Sequence, residues 1–245
     1  MDKTISMLRL GVILLAAMGL AGCNLADEGT VGNLRTETHT VKLGDAKSVQ
    51  ADINMGVGEL KLAGDAKDLL EGDFTYNVER YKPEIDYSVT GGRGRLTVRQ
   101  QEGNSGPHGN VRNVWDLRVN DKVPLELNIS LGVGKSTLTL GSLALSRLDL
   151  NLGVGETVVD LTGDWKNDLD AQIQGGVGQA TIRLPEDTAV RVRASGAMGQ
   201  IQAGNLKKDG DVYVNDAKSD VTLRVTVEGG IGQIRLETAR GEPAI

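Results

Sequence analysis

The residues with most obvious chemistry lie in the stretch ISLGVGKSTLTL, Ile129 to Leu140, where Gly134-Lys135-Ser136 has the order that closes a phosphate-binding loop. Such a loop needs a second glycine five positions before Gly134, so that the backbone can wrap the phosphates, and a helix opening at the lysine. Ile129 occupies that first position, and the residues after Lys135 alternate polar with apolar as a strand does. The run therefore argues against a nucleotide site.

Other reactive groups are sparse. His39 and His108 are the only histidines, far apart in sequence, and Cys23 is the only cysteine. Both histidines are expected to face solvent, and no metal site or other cofactor is expected. Glu126, Asp149, Asp160 and Asp170 fall on outward strand positions, with Arg183, Arg191, Arg193 and Arg224 on neighbouring repeats. A glycosidase needs two carboxyls at a set separation. Charges at outward positions more commonly are solvated and deter edge aggregation. Trp115 and Trp165 are read as caps on the ends or edges of a core rather than as anchors for a partner.

These residues sit in a repeat. Alternating runs meet at short glycine corners in MGVGELKL, LGVGKSTLTL, LGVGETVVDL, GGVGQATIRL, GAMGQIQA and GGIGQIRLE, and EIDYSVTGGRGRLTV from Glu84 reads as a seventh case. The corner glycines are Gly56 and Gly58, Gly132 and Gly134, Gly153 and Gly155, Gly176 and Gly178, Gly199, and Gly230 and Gly232. A spacing just above 20 residues in the central repeats is the mark of a solenoid. The inward parity switches across each corner: Leu127, Ile129 and Leu131 precede it, and Ser136, Leu138 and Leu140 follow. A tight bend using positive φ does this, and glycine tolerates it.

Each rung is thus predicted to be two strands joined at a Gly corner plus a return loop. Stacked rungs bury what one rung cannot. In such a stack Ile129, Leu150, Ile173 and Val192 should form one column. The apolar residues between the glycines (Val57, Val133, Val154, Val177, Met198, Ile231) should turn inward. Gln179, Gln200 and Gln233, each just after a corner, could form an amide ladder. The chain has 33 glycines against 1 Phe and 2 Trp, which suits thin stacked layers more than an aromatic core. The fold class is all-β, a single-stranded β-solenoid. A short extra strand is expected near Val212 to Val214, and Gln101 to Asn113 reads as a polar loop.

The N-terminus reads as an export signal. Lys3 and Arg9 precede an apolar run, Leu10 to Ala21, that is too short to span a bilayer, and LAGC ends at Cys23. This resembles the lipobox of bacterial lipoproteins. The resemblance implies cleavage before Cys23, lipid on its sulfur, and a membrane as partner through that lipid. Asn24 favours the outer membrane in a diderm host; a monoderm host would hold the chain at its cell surface. Removing 22 residues, which carry Asp2, Lys3 and Arg9 and hence +1, takes the chain from 245 residues at −6 to 223 at −7. An acidic chain is poorly suited to nucleic acid.

The organisation expected is a signal peptide over 1–22, a lipidated tether over 23–37, an N-terminal β section over 38–121 and regular repeats over 122–240. The strand–GxG–strand repeats resemble the bacterial toast-rack domains, which include LiaF-like cell-envelope proteins and adhesin-like domains of unknown function. That resemblance implies an extracytoplasmic β-solenoid with a part in envelope stress sensing or adhesion, and it supplies no catalytic residues. The expected function is a non-enzymatic, lipid-anchored envelope protein whose β faces meet an envelope protein or a glycan. The competing reading is a polysaccharide lyase or hydrolase on a parallel β-helix.

Overall fold

The computed structural model describes residues 31–101 and 110–240; the signal segment and the Cys23 lipidation site lie outside the described residues, as does His108. The described chain is almost wholly strand, with one short 3-10 turn at Glu79–Tyr81. Six long strands carry the repeats: β2 (Ser48–Ala63), β7 (Leu125–Thr139), β8 (Leu145–Asp160), β9 (Leu169–Pro185), β10 (Ala189–Gln202) and β13 (Thr222–Ala239). They lie parallel, in the order β2-β7-β8-β9-β13-β10. The remaining strands are β1 (Val31–Val41), β3 (Leu70–Val78), β4 (Pro83–Thr90), β5 (Arg93–Gln100), β6 (Asn113–Val119), β11 (Lys207–Asp209) and β12 (Val212–Val214).

Corners stack on corners in register. Gly58, Gly134, Gly155, Gly178, Gly232 and Gly199 are consecutive Cα partners across the six strands. The parity switch is present: Leu127 and Ile129 are buried before the corner, and Ser136 and Leu138 after it. Ser136 Oγ donates to Thr157 Oγ1 at 2.8 Å, so two buried hydroxyls satisfy each other between rungs. Return loops extend the ladder, with Leu140 N–H donating to Asp160 O and Leu161 N–H to Arg183 O.

The stack does not follow chain order. Only three residues separate β9 from β10, yet β13 lies between them and pairs with both. The column through Ile53, Ile129, Leu150 and Ile173 therefore continues to Val227 and Ala194, not to Val192. Val192 belongs to the column of Val225 and Ala171. Asn215 holds this crossover together: its amide donates to Thr188 O at 2.8 Å, and its Oδ1 accepts from Val190 N–H. The short strand expected near Val212 is β12, and it pairs β10 with β11.

The seventh repeat is not a rung. Gly94 lies in β5, which forms an antiparallel hairpin with β4 around Gly91 and Gly92. Both turn glycines have positive φ (59° and 79°), as a two-residue type I′ turn requires. The rung before β2 is composite. β5 pairs with Ser48–Asn54 of β2, and β6 pairs with Glu59–Ala63. Where a corner would be, the Gln100 side chain accepts from the N–H groups of Gly56 and Val57, and Asn113 Nδ2 donates to Val57 O at 2.6 Å. β3 and β1 add further antiparallel strands beyond β6. β1, Val31–Val41, lies partly within the segment read as a tether, 23–37.

Tyr76 on β3 is buried and donates a 2.6 Å hydrogen bond to Glu37 Oε1 on β1. That bond, aided by His39 and Lys82 and opposed by burial, holds the Glu37 carboxyl below its ordinary value of 4.5. Glu37 thus binds its proton less readily folded than unfolded. Its stabilisation is complete above the unfolded value and is lost as pH falls through the lower folded value. Tyr76→Phe is expected to destabilise by about 1–2 kcal/mol at neutral pH, with the gap narrowing below about pH 4. Urea unfolding of both forms at neutral and acid pH measures this; a gap independent of pH contradicts it.

Candidate interaction surface

Every corner glycine but Gly56 is fixed by backbone. A Cβ on Gly134 would lie 1.7 Å from Gly58 O, on Gly155 1.8 Å from Gly134 O, and on Gly232 1.8 Å from Gly178 O. Gly132, Gly153, Gly176 and Gly230 likewise face the preceding strand's carbonyl at 2.0–2.3 Å, and Gly199 faces Gly232 O at 2.0 Å. Gly58 abuts Asn113 O at 2.5 Å, while at Gly56, at the capped end, a Cβ would make only ordinary contact with the Gln100 side chain at 3.7 Å. Gly141 in a return loop, which the repeat pattern does not single out, is as tight against Thr162 O.

The residues between the glycines do not turn inward. Val57, Val133, Val154, Val177, Ile231 and Met198 are exposed, from 42% at Val57 to 65% at Met198. The register places them side by side, one per strand. The result is a continuous apolar ridge along the bend. The five from Val57 to Ile231 are each flanked in sequence by two glycines, and Met198 by Ala197 and Gly199, so little side-chain bulk lies beside the ridge. The hollow along it, beside Leu131 and Leu152, holds only about 60 Å³, far less than a small-molecule pocket.

Beside the ridge runs the slot just after each corner: Glu59, Lys135, Glu156, Gln179, Gln233 and Gln200 in strand order. Lys135 pairs with Glu156 at 2.9 Å, and that contact raises the lysine's pKa. The three glutamines are neighbours on β9, β13 and β10. Lys135 is thus one member of a mixed outward ladder, which a phosphate-binding lysine could not share with two glutamates.

The outward charges partly converge. A groove of about 490 Å³ over the first halves of β8, β9, β13 and β10 is lined by Arg147, Asp149, Asp170, Arg193, Asp211 and Arg224, with Arg191 at its edge strand. Arg147 pairs with Asp149 at 2.8 Å, Arg193 with Asp211 at 2.9 Å, and Arg224 with Asp170 at 3.8 Å and Asp168 at 2.9 Å. Arg193 and, from further off, Arg191 hold Asp211 below the usual carboxylate range. Asp168 is lowered by the Thr222 N–H and by Arg224. Each groove carboxylate therefore sits beside an arginine, the opposite of the apolar seat that raises a glycosidase's general acid. Glu126 and Asp160 lie outside this groove, paired with Arg93 and Arg183. Among the described residues no three His, Cys, Asp or Glu side chains group to hold a metal.

The tryptophans are structural. Trp115 is fully buried, edge-on to Phe74 at 5.4 Å, and Trp165 Nε1 donates to Leu161 O. His39 is half-buried against Phe74 and lies 3.3 Å from Glu37. No helix among the described residues is long and apolar enough to cross a membrane.

The family described as "N-terminal domain of toast_rack, DUF2154" matches residues 30–183. A crystal structure from Clostridium sporogenes ATCC 15579, provisionally named a cell adhesion protein, is similar at 32% identity and a TM-score of 0.80, covering 84% of this chain and all of its own. A provisionally named adhesin from Bacteroides fragilis NCTC 9343 is similar over 84% of this chain and 99% of its own, at 11% identity and a TM-score of 0.32. No curated protein matches.

Proposed function

The chain belongs to the toast-rack family, and from that premise we propose that it is a non-enzymatic, lipid-anchored envelope protein of adhesive type. One observation carries this reading: six apolar side chains are exposed in a row between corner glycines at which, Gly56 apart, an added Cβ would strike backbone. Soluble chains rarely keep a contiguous apolar patch without a partner for it. The frame is rigid, so little ordering entropy opposes docking. The name of the Clostridium relative points the same way. The anchor is Cys23, whose lipid fixes the chain to a membrane while the ridge meets an envelope protein or glycan.

Two results test this. Labelling cells with a clickable fatty acid should mark the wild-type chain and leave Cys23→Ala unmarked and released from membranes. The purified chain should bind isolated envelopes, and Val133→Ser/Val154→Ser/Val177→Ser should bind at least about tenfold more weakly with an unchanged melting curve, since hot-spot contacts centre on buried apolar anchors. Unchanged labelling of Cys23→Ala removes the anchor, and unchanged binding removes the ridge. Release of reducing ends or unsaturated sugars from envelope polysaccharide would favour the lyase or hydrolase reading instead.

A further inference from the structure

The two ends of the parallel stack are finished differently. At the β2 end, both arms are paired and the corner's backbone groups are met by Gln100 and Asn113. At the β10 end, β12 pairs only with Arg191 and Val192. From Arg193 to Gln202 the outer edge of β10 pairs with no strand among the described residues. This edge is uncovered: Arg193, Ser195, Gly196, Met198, Gly199, Gln200 and Gln202 are all exposed. On the adjoining β13, the inward residues Val227 and Ile234 are buried, whereas Ala194 and Ile201, which continue the same columns, are only half-buried. A row of open N–H and C=O groups above a half-covered core is a template for another strand.

We propose that this edge pairs with the same edge of a second copy, making an antiparallel, two-fold dimer that continues the sheet around the bend. The length of the free edge selects this occupant. Four residues, Arg193–Gly196, lie free before the corner, and four, Gly199–Gln202, lie free after it. A two-fold axis along the bisector of the bend exchanges these arms. It sets corner against corner and stops short of β12.

The faces agree as well. Ala194 meets Ile201 of the second copy, both inward, and Ser195 meets Gln200 of the second copy, both outward. Gly196 meets Gly199 of the second copy. The parity switch at the corner is what makes this possible, because without it every inward residue would oppose an outward one. The same register sets Met198 opposite position 197 of the second copy, so the two ridges meet at the axis with an offset of one residue. The interface is isologous and closes on itself, so it yields a dimer rather than a fibre.

The test uses the chain from Asn24 onward, which contains every described residue and no cysteine. Sedimentation equilibrium should show a concentration-dependent dimer. Ser195→Lys/Gln200→Lys places like charges in contact twice across the axis and should raise the dissociation constant at least about tenfold. Ser195→Lys/Gln200→Glu places opposite charges there and should restore the dimer. Both substituted positions are exposed, and Ser195 neighbours Glu228 within its own copy, which accommodates a lysine. A wild-type chain that stays monomeric to its solubility limit overturns the proposal. So does a dimer insensitive to the two lysines, or one that the lysine–glutamate pair fails to restore.

Discussion

Gly155→Ala is expected to destabilise the fold by at least about 4 kcal/mol, among the largest effects of one added methyl group. Two causes act together. Gly155 has φ near 149°, a region closed to L side chains, and holding one there costs about 1–3 kcal/mol. The new Cβ would also lie 1.8 Å from Gly134 O. That oxygen is backbone in the middle of a paired strand, so it cannot swing aside as a side-chain tip would. Relief requires rungs to separate, which breaks ladder hydrogen bonds and opens the core beneath. Gly210→Ala is the control: its φ is 62° with nothing within 4 Å, and it should cost only about 1 kcal/mol. Equilibrium urea unfolding measures both. Equal, small losses would mean that the corners do not stack in register.

Trp115→Ala should cost about 3–5 kcal/mol, the range for emptying a large buried aromatic site. Trp115 lies in β6, fully buried, and fills the core under the antiparallel cap with Phe74 edge-on to it. β6 also supplies Asn113, which closes the β2 corner. The loss should therefore loosen both the cap and the first corner, and hydrogen exchange should rise at Gly56 and Val57 as well as in β3. Trp115→Phe should cost less, about 1–2 kcal/mol. The ring contact survives in part, and the substitution removes an indole N–H that is buried with no hydrogen-bond partner among the described residues. A Trp115→Phe loss as large as that of Trp115→Ala would show that the indole's outer ring, not the aromatic contact, carries the packing.

Much of the architecture was legible because the repeat encodes it twice. Glycine marked each bend, and the change of inward parity from Ile129 to Leu138 stated that the chain turns there. The hairpin at Gly91–Gly94 imitated a corner because a type I′ turn also draws on glycine between alternating runs. The strand order was not legible. Val192 and Val227 lie in equivalent repeats, and nothing in an alternating pattern says which of two equivalent strands lies against β9. The side chain of Asn215, bonded to the Thr188 and Val190 backbone, reports the answer only once the fold is seen. The ridge was misjudged for a related reason. Alternation tells which side of the strand Val154 occupies but not whether anything covers that side, and its neighbours are glycines.

The same misplacement bears on function. Because β13 is inserted, β10 becomes the last of the six long strands, and Met198 rather than Ile231 ends the ridge. The proposed binding surface and the proposed dimer both depend on that order. The lipidation expected at Cys23, by contrast, rests on the flanking residues alone and lies outside the described residues.

The order of strands can be measured directly in the cysteine-free chain from Asn24 onward. Val177, Ile231 and Met198 are exposed neighbours on the ridge. Adjacent strands lie about 4.8 Å apart and next-but-one strands about 9.6 Å apart. A thiol cross-linker spanning about one strand spacing should therefore join Val177→Cys to Ile231→Cys and Ile231→Cys to Met198→Cys, and should leave Val177→Cys with Met198→Cys unjoined. Efficient joining of Val177→Cys to Met198→Cys, with none between Val177→Cys and Ile231→Cys, would contradict the fold, the ridge and the free edge together.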